Sequence, residues 1–157
     1  RVEVVPVPAA YTVIIDYAHT PDALENILTT VRDLTDRRVI CLFGCGGDRD
    51  RSKRPVMGSI AAALADICVV TSDNPRTEEP VAIIADILKG MEGTDTPVRV
   101  EPDRRAAIRL ALSEAGTGDV VVLAGKGHET YQEINGVQFH LDEREEVAGF
   151  FARGRRG

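Results

Sequence analysis

Tryptophan is missing from this sequence, and the other aromatic side chains amount to four Phe and three Tyr. Any core must therefore be aliphatic, and the 43% apolar content is enough to build one. A basic excess is missing too: 19 Lys and Arg face 25 Asp and Glu, a formal charge of −6. That balance argues against a nucleic-acid partner or a membrane surface, each of which calls for a basic face. The run Asp48-Arg-Asp-Arg-Ser-Lys-Arg54 is no exception, because two aspartates interleave with its cations. Cysteine is scarce and unpaired: Cys41, Cys45 and Cys68 make an odd count with no CxxC. This argues against a disulfide framework, and the ligands at useful spacing are too few for zinc, so no metal site is expected. No apolar run approaches a membrane span and no signal-peptide pattern is present, so a soluble, cytoplasmic protein is expected.

What the chain does have is regular alternation. Its 157 residues suit one domain. Apolar runs rich in β-branched residues recur at 12–15, 38–43, 67–71, 97–100 and 119–124. Helical periods separate them. In 21–34, Leu24, Ile27, Leu28, Val31 and Leu34 share a face after Thr20 as N-cap and Pro21 as first helical residue. Segments 55–65, 80–91 and a shorter one over 103–113 repeat the pattern. Asn135-Gly136 predicts a hairpin over 132–139 with a type I′ turn, and a last helix follows Asp142. Continuous apolar strands alternating with helices predict an α/β fold: a Rossmann-like, mostly parallel sheet with helices on both faces, plus the C-terminal hairpin. The domain is expected over 1–152, with 153–157 as a frayed or added tail.

Ligands of such sheets bind beyond the carboxyl ends of the strands. Four polar, glycine-bearing stretches follow strands here: Asp16–Pro21, Gly44–Asp50, Ser72–Arg76 and Gly125–Glu129. Their chemistry is not that of a nucleotide-triphosphate cradle. Arg49 stands where GxGxxG needs its third glycine, and Val120 where GxxxxGK needs its first. Gly44-Cys-Gly-Gly47 still resembles a phosphate cradle locally. His19 and His128 are either hydrogen-bonded loop residues or functional ones. The charges are more telling: Arg49 and Arg76 are forks for carboxylates, whereas Asp73 and Glu129 suit an ammonium. Such a pocket reads zwitterions. The stretch TSDNPRTEEP (71–80) places Asp73 and Arg76 around a turn that Asn74 and Pro75 alone would make. It is either a solvated loop with a surface ion pair or part of that pocket.

DYAHTPDALE (16–25), FGCGGDRDRSKRP (43–55), TSDNPRTEEP and GKGHETYQ (125–132) resemble, in the same order, the C-terminal domain of the Mur ligases. The likeness is to those members that add the third residue to UDP-N-acetylmuramoyl-L-alanyl-D-glutamate, and it covers nearly the whole chain. It implies an ATP- and Mg²⁺-dependent ligase of peptidoglycan synthesis, working through an acyl phosphate that the incoming amine attacks. The UDP-sugar and P-loop domains would then be partners in the same polypeptide, outside this chain, and the fragment alone would be inactive. Carried over by position, the resemblance implies that Arg49, Asp73, Asn74, Arg76, Gly125 and Glu129 bind the incoming amino acid. The Asp73-Asn-Pro-Arg76 turn would select meso-diaminopimelate over L-lysine, Asp73 reading the ammonium and Arg76 the carboxylate of its far stereocentre. An arginine left unpaired by lysine would reject it by about 10⁴–10⁵. Asp16 and His19 would lie on the ATP-phosphate side. Lys126 would hold charge near the acyl phosphate or serve as a structural lysine in a tight turn. Two other readings remain: a stand-alone binder of small zwitterions and a nucleotide-binding module.

Overall fold

The computed structural model describes residues 2–154. Strands β1 (Glu3–Val5) and β2 (Thr12–Asp16) precede helix α1 (Pro21–Arg32). Then come β3 (Val39–Phe43), α2 (Lys53–Leu64), β4 (Ile67–Val70), α3 (Pro80–Lys89), β5 (Val98–Val100), α4 (Arg104–Glu114) and β6 (Val120–Ala124). Strands β7 (Tyr131–Ile134) and β8 (Val137–His140) form a separate hairpin before α5 (Glu143–Gly154). The main sheet runs β1-β2-β6-β3-β4-β5, with only β1 antiparallel. The expected mostly parallel α/β sheet is what the chain forms. Among the described residues no helix is long and apolar enough to cross a membrane.

Strands β3, β4 and β6 are buried at every position, which is why they read as continuous apolar runs. Alternate residues feed two cores. Ile14, Cys41, Phe43 and Val122 pack with Leu24 and Leu28 of α1, Met57 of α2 and Ile83 of α3. Val13, Ile15, Ile40 and Leu42 pack with Ile108 and Leu112 of α4 and Val147 of α5. Each fully buried aliphatic side chain contributes about 1.5–3 kcal/mol. Cys41 and Cys68, directly opposed in register, behave as small hydrophobes with free thiols.

Local signals account for most boundaries. The Thr20 hydroxyl accepts from Ala23 N at the start of α1, and Asp103 caps α4 through Arg105 N. Asn135 and Gly136 take φ of 50° and 78°, the left-handed pair a type I′ turn requires. Three details differ from the sequence reading. Helix α1 ends at Arg32, so Leu34 lies beyond the cap, 65% exposed rather than on the apolar face. Strand β1 has no apolar run to betray it; it is a short, mostly exposed edge paired with β2. Helix α5 continues through Arg153 and Gly154, with Arg153 basic at its C-terminal turn, whereas a tail from 153 was expected; residues 155–157 lie outside the described residues.

Because β2, β3, β4 and β6 are parallel, the loops after them leave the same edge. A buried cation ties that edge together. Arg104, wholly inaccessible, donates to the Ser72 carbonyl (2.9 Å) after β4 and the Ala124 carbonyl (3.1 Å) at the end of β6. It also pairs at 3.0 Å with Glu143, equally inaccessible, at the start of α5. Removing one partner of a buried pair strands the other charge. Arg104→Met should therefore cost about 3–5 kcal/mol, and adding Glu143→Met should restore part of the loss. Urea-unfolding midpoints of the two variants check this.

Candidate functional site

The four loops meet around a cleft of about 400 Å³. His19, Arg49, Asp73, Asn74, Arg76, Gly125 and Glu129 all line it, so most of the sequence-predicted site residues come together. Asp16 does not line it: its carboxylate, 7% exposed at the end of β2, accepts from Ala18 N at 2.9 Å. Its carbonyl instead anchors the facing loop through Gly125 N at 3.0 Å. A larger cleft of about 760 Å³ at the opposite, amino edge is lined by charges that pair among themselves, Arg32 with Asp66 and Arg38 with Asp119. The convergent loops make the smaller cleft the candidate site.

The Gly44-Cys-Gly-Gly47 run, which resembled a phosphate cradle, is a packing seam. A Cβ on Gly47 would stand 1.9 Å from the Pro75 carbonyl oxygen, and one on Gly44 would stand 2.3 Å from that of Thr71. Without side chains the run lies directly on the Asp73–Arg76 turn, and Gly47 N donates to the Asn74 carbonyl at 2.8 Å. Burial pushes the Cys45 thiol up to about 12, so it stays protonated and unreactive.

The turn is held from its other side by the hairpin. Arg76 is left-handed (φ 52°), a conformation that costs a non-glycine residue about 1–3 kcal/mol and persists only where its surroundings enforce it. Its N–H donates to the Glu133 carbonyl (3.1 Å), and its own carbonyl accepts from Asn135 N (2.9 Å). Gln132 Nε2 donates to the Asp73 carbonyl at 2.7 Å, and Glu133 N to Asn74 Oδ1 at 2.9 Å. The Arg76 guanidinium donates to the Gly47 carbonyl (2.9 Å) and lies 3.7 Å from Glu133, outside hydrogen-bond range. Most of its donors therefore remain for a ligand in the cleft.

Asp73 and Arg76 do not pair with each other, so the reading of the turn as a solvated loop with a surface ion pair does not hold. Asp73 is held by Lys126, whose ammonium is wholly buried 2.9 Å from Asp73 Oδ1. The same nitrogen donates to Asn74 Oδ1 at 2.8 Å and lies 3.5 Å from Glu129 Oε1. Burial acts to raise the Asp73 carboxyl, but Lys126, Arg104 and Arg76 outweigh it and keep the carboxyl below its usual range. Lys126 was visible in the sequence only as an undecided loop residue. Its place between Gly125 (φ 116°) and Gly127 (φ 55°), straight after a buried strand, was the available signal.

At the other end of the cleft, His19 Nδ1 lies 2.8 Å from the Tyr17 carbonyl. A carbonyl only accepts, so Nδ1 carries the proton and Nε2 is the ring's remaining polar atom. Lys53, which the sequence reading passed over, also lines the cleft and donates to the His19 carbonyl at 2.9 Å. The Tyr17 ring stands between His19 and His128, with centroids 4.5 and 5.8 Å away. Burial raises its phenol, helped by Glu129 and Asp73. Among the described residues no group of three or more His, Cys, Asp or Glu side chains is placed to hold a metal ion.

A family model described as "Mur ligase, glutamate ligase domain" matches residues 1–127. The chain belongs to the Mur ligase family. It is 58% identical over 146 residues to UDP-N-acetylmuramoyl-L-alanyl-D-glutamate--2,6-diaminopimelate ligase of Syntrophomonas wolfei, covering 92% of this chain and 30% of that protein. The protein of the same name from Parasynechococcus marenigrum is 59% identical over 137 residues, covering 87% of this chain and 27% of its own length. A solved structure of a ligase so named superposes with a TM-score of 0.93 at 43% identity, over 99% of this chain and 32% of that one. This Mur ligase domain thus spans less than a third of the curated relatives' length.

Arg49 owes its place in the domain to a network set back from the cleft. Arg54, wholly buried, grips both oxygens of Glu78 (3.1 and 2.8 Å) and reaches Asp86 (3.0 Å) and the Gly46 carbonyl (3.1 Å). Glu78 in turn accepts from the backbone N–H of Asp48, a left-handed residue beside Arg49. The bidentate Arg54 contact, reinforced by that N–H, holds the Glu78 carboxyl to about 2. Because the folded value lies below the ordinary 4.5, this stabilisation is complete above the ordinary value and fades as pH falls through the folded one. Urea midpoints should therefore drop between about pH 5 and pH 2, and Glu78→Gln should flatten part of that fall.

Proposed function

We propose that this chain is the amino-acid-binding domain of a ligase that joins meso-diaminopimelate to UDP-N-acetylmuramoyl-L-alanyl-D-glutamate in bacterial cell-wall synthesis. The names of its relatives and the chemistry of the cleft support this reading. The observation that carries it is Arg76: its backbone is fixed by two hydrogen bonds to the hairpin, and its guanidinium, bonded only to the Gly47 carbonyl, keeps most of its donors unused on the same cleft as Arg49 and Glu129. Diaminopimelate is lysine with one more carboxylate, and Arg76 offers that carboxylate a charge-assisted fork. Glu129, less committed to Lys126 than Asp73 is, offers an ammonium its acceptor.

The remaining partners lie with the rest of such a ligase: the UDP-sugar dipeptide, ATP with Mg²⁺, and the domains that hold them. ATP would supply the phosphoryl group that activates the D-glutamyl carboxylate. On this chain, the Lys53 ammonium, which donates to the His19 carbonyl, fits the phosphate side by charge, His19 lies beside it, and Asp16 contributes by accepting from Ala18 N in the loop that carries His19. On this reading residues 1–152 are the ligand-binding unit, and the chain without its partner domains is inactive.

Arg76 is not orphaned when the far carboxylate is missing, because the Gly47 carbonyl and Glu133 remain beside it. Discrimination against L-lysine should thus follow the roughly 1.5–3 kcal/mol of one charge-assisted bond, about ten- to hundredfold, rather than the larger factor expected of an unpaired arginine. In the longer protein, Arg76→Ala should lower kcat/KM for diaminopimelate by that factor and leave the KM for ATP unchanged. Equal losses on both substrates would show that the turn is only structural.

A further inference from the structure

Lys126 is assigned to no step of the reading above, yet it is the most constrained charge at the site. Its ammonium is inaccessible and touches three cleft residues: Asn74 (2.8 Å) and Asp73 (2.9 Å) on the turn after β4, and Glu129 (3.5 Å) on the loop after β6. The Tyr131 ring closes over it, 5.9 Å from the nitrogen. A buried ammonium is tolerated where anions neutralise it. Here two carboxylates share one ammonium, so one negative charge is left facing the cleft.

We propose that Lys126 is the positioning residue of the amino-acid cleft. Without touching ligand, it sets the spacing between the Asp73–Arg76 turn and the Gly125–Glu129 loop and places one positive charge beside both cleft carboxylates. The proposal rests on the reading that the cleft receives an amino acid, whose ammonium then supplies the second positive charge that the pair of carboxylates lacks.

The surrounding charges leave this task to Lys126. Arg104 faces Asp73 but is committed to Glu143 and two carbonyls, and Arg76 is held by the Gly47 carbonyl beside Glu133. The Tyr17 phenol nearby, raised by burial, supplies no charge, and Tyr131 meets Lys126 only through its ring face. Without Lys126, Asp73 and Glu129 would be like charges at close quarters, and such a pair retains a proton well above the ordinary carboxylate range.

The test is steady-state kinetics of the longer ligase carrying Lys126→Met or Lys126→Arg, each preparation checked by thermal melting. Lys126→Met should raise the KM for meso-diaminopimelate by about tenfold or more, leave the KM for ATP within about twofold, and make the diaminopimelate KM fall as pH rises through neutrality. Lys126→Arg keeps the charge with a bulkier head. It should raise the same KM without the new pH dependence, and it decides the matter if the Met variant does not fold. Variants that melt lower yet keep the wild-type diaminopimelate KM and its pH profile would overturn the proposal. A wild-type ligase that does not use meso-diaminopimelate would instead overturn the functional reading beneath it.

Discussion

A buried ammonium has to be neutralised where it stands, and in this chain that requirement joins the two walls of the cleft. Lys126 sits on the loop after β6, while Asp73 and Asn74 sit on the turn after β4. Strand β3 lies between those strands in the sheet, so no backbone ladder links the two loops directly. The ion pair makes that link instead. Arg104 repeats the device one layer deeper, holding the Ser72 and Ala124 carbonyls from beneath, and Arg54 repeats it beside the Gly46 loop. Each cation bonds to carbonyls or carboxylates at loop bases, so charge burial does at this edge what apolar packing does in the two cores.

That framework explains how a strained recognition residue can persist. Left-handed Arg76 is fixed by the hairpin through its backbone and by the Gly47 carbonyl through its side chain. The glycine run beneath it serves contact rather than phosphate: its missing side chains let two loops lie against each other. The hairpin, outside the main sheet, is thereby part of the site, since Gln132 and Glu133 hold the turn.

The fold was legible because its signals are local and redundant. Buried parallel strands leave unbroken apolar runs, Thr20 and Asp103 cap helices, and Asn135-Gly136 dictates its turn. The convergence of the four loops followed from strand direction alone, and seven of the expected site residues do line one cleft. What could not be read was the pairing of charges. Asp73 and Arg76 are neighbours in sequence, and proximity implied a pair; in space each finds a different partner, because Lys126 and Glu133 arrive from segments more than fifty residues away. For the same reason the contact made by the glycine run, and the burial of Arg54, Arg104 and Lys126, were not legible in the sequence. Long-range electrostatics leaves no periodicity in a sequence.

The Lys126 ammonium, locked between Asp73, Asn74 and Glu129, can be observed directly. The side-chain ¹⁵N–¹H spectrum of the chain at neutral pH should show one lysine ammonium protected from solvent exchange, lost in Lys126→Arg, with through-space contacts to Asn74 and Tyr131. If every lysine ammonium exchanges rapidly, Lys126 is solvated, the two walls are not joined through it, and the account of the site is wrong.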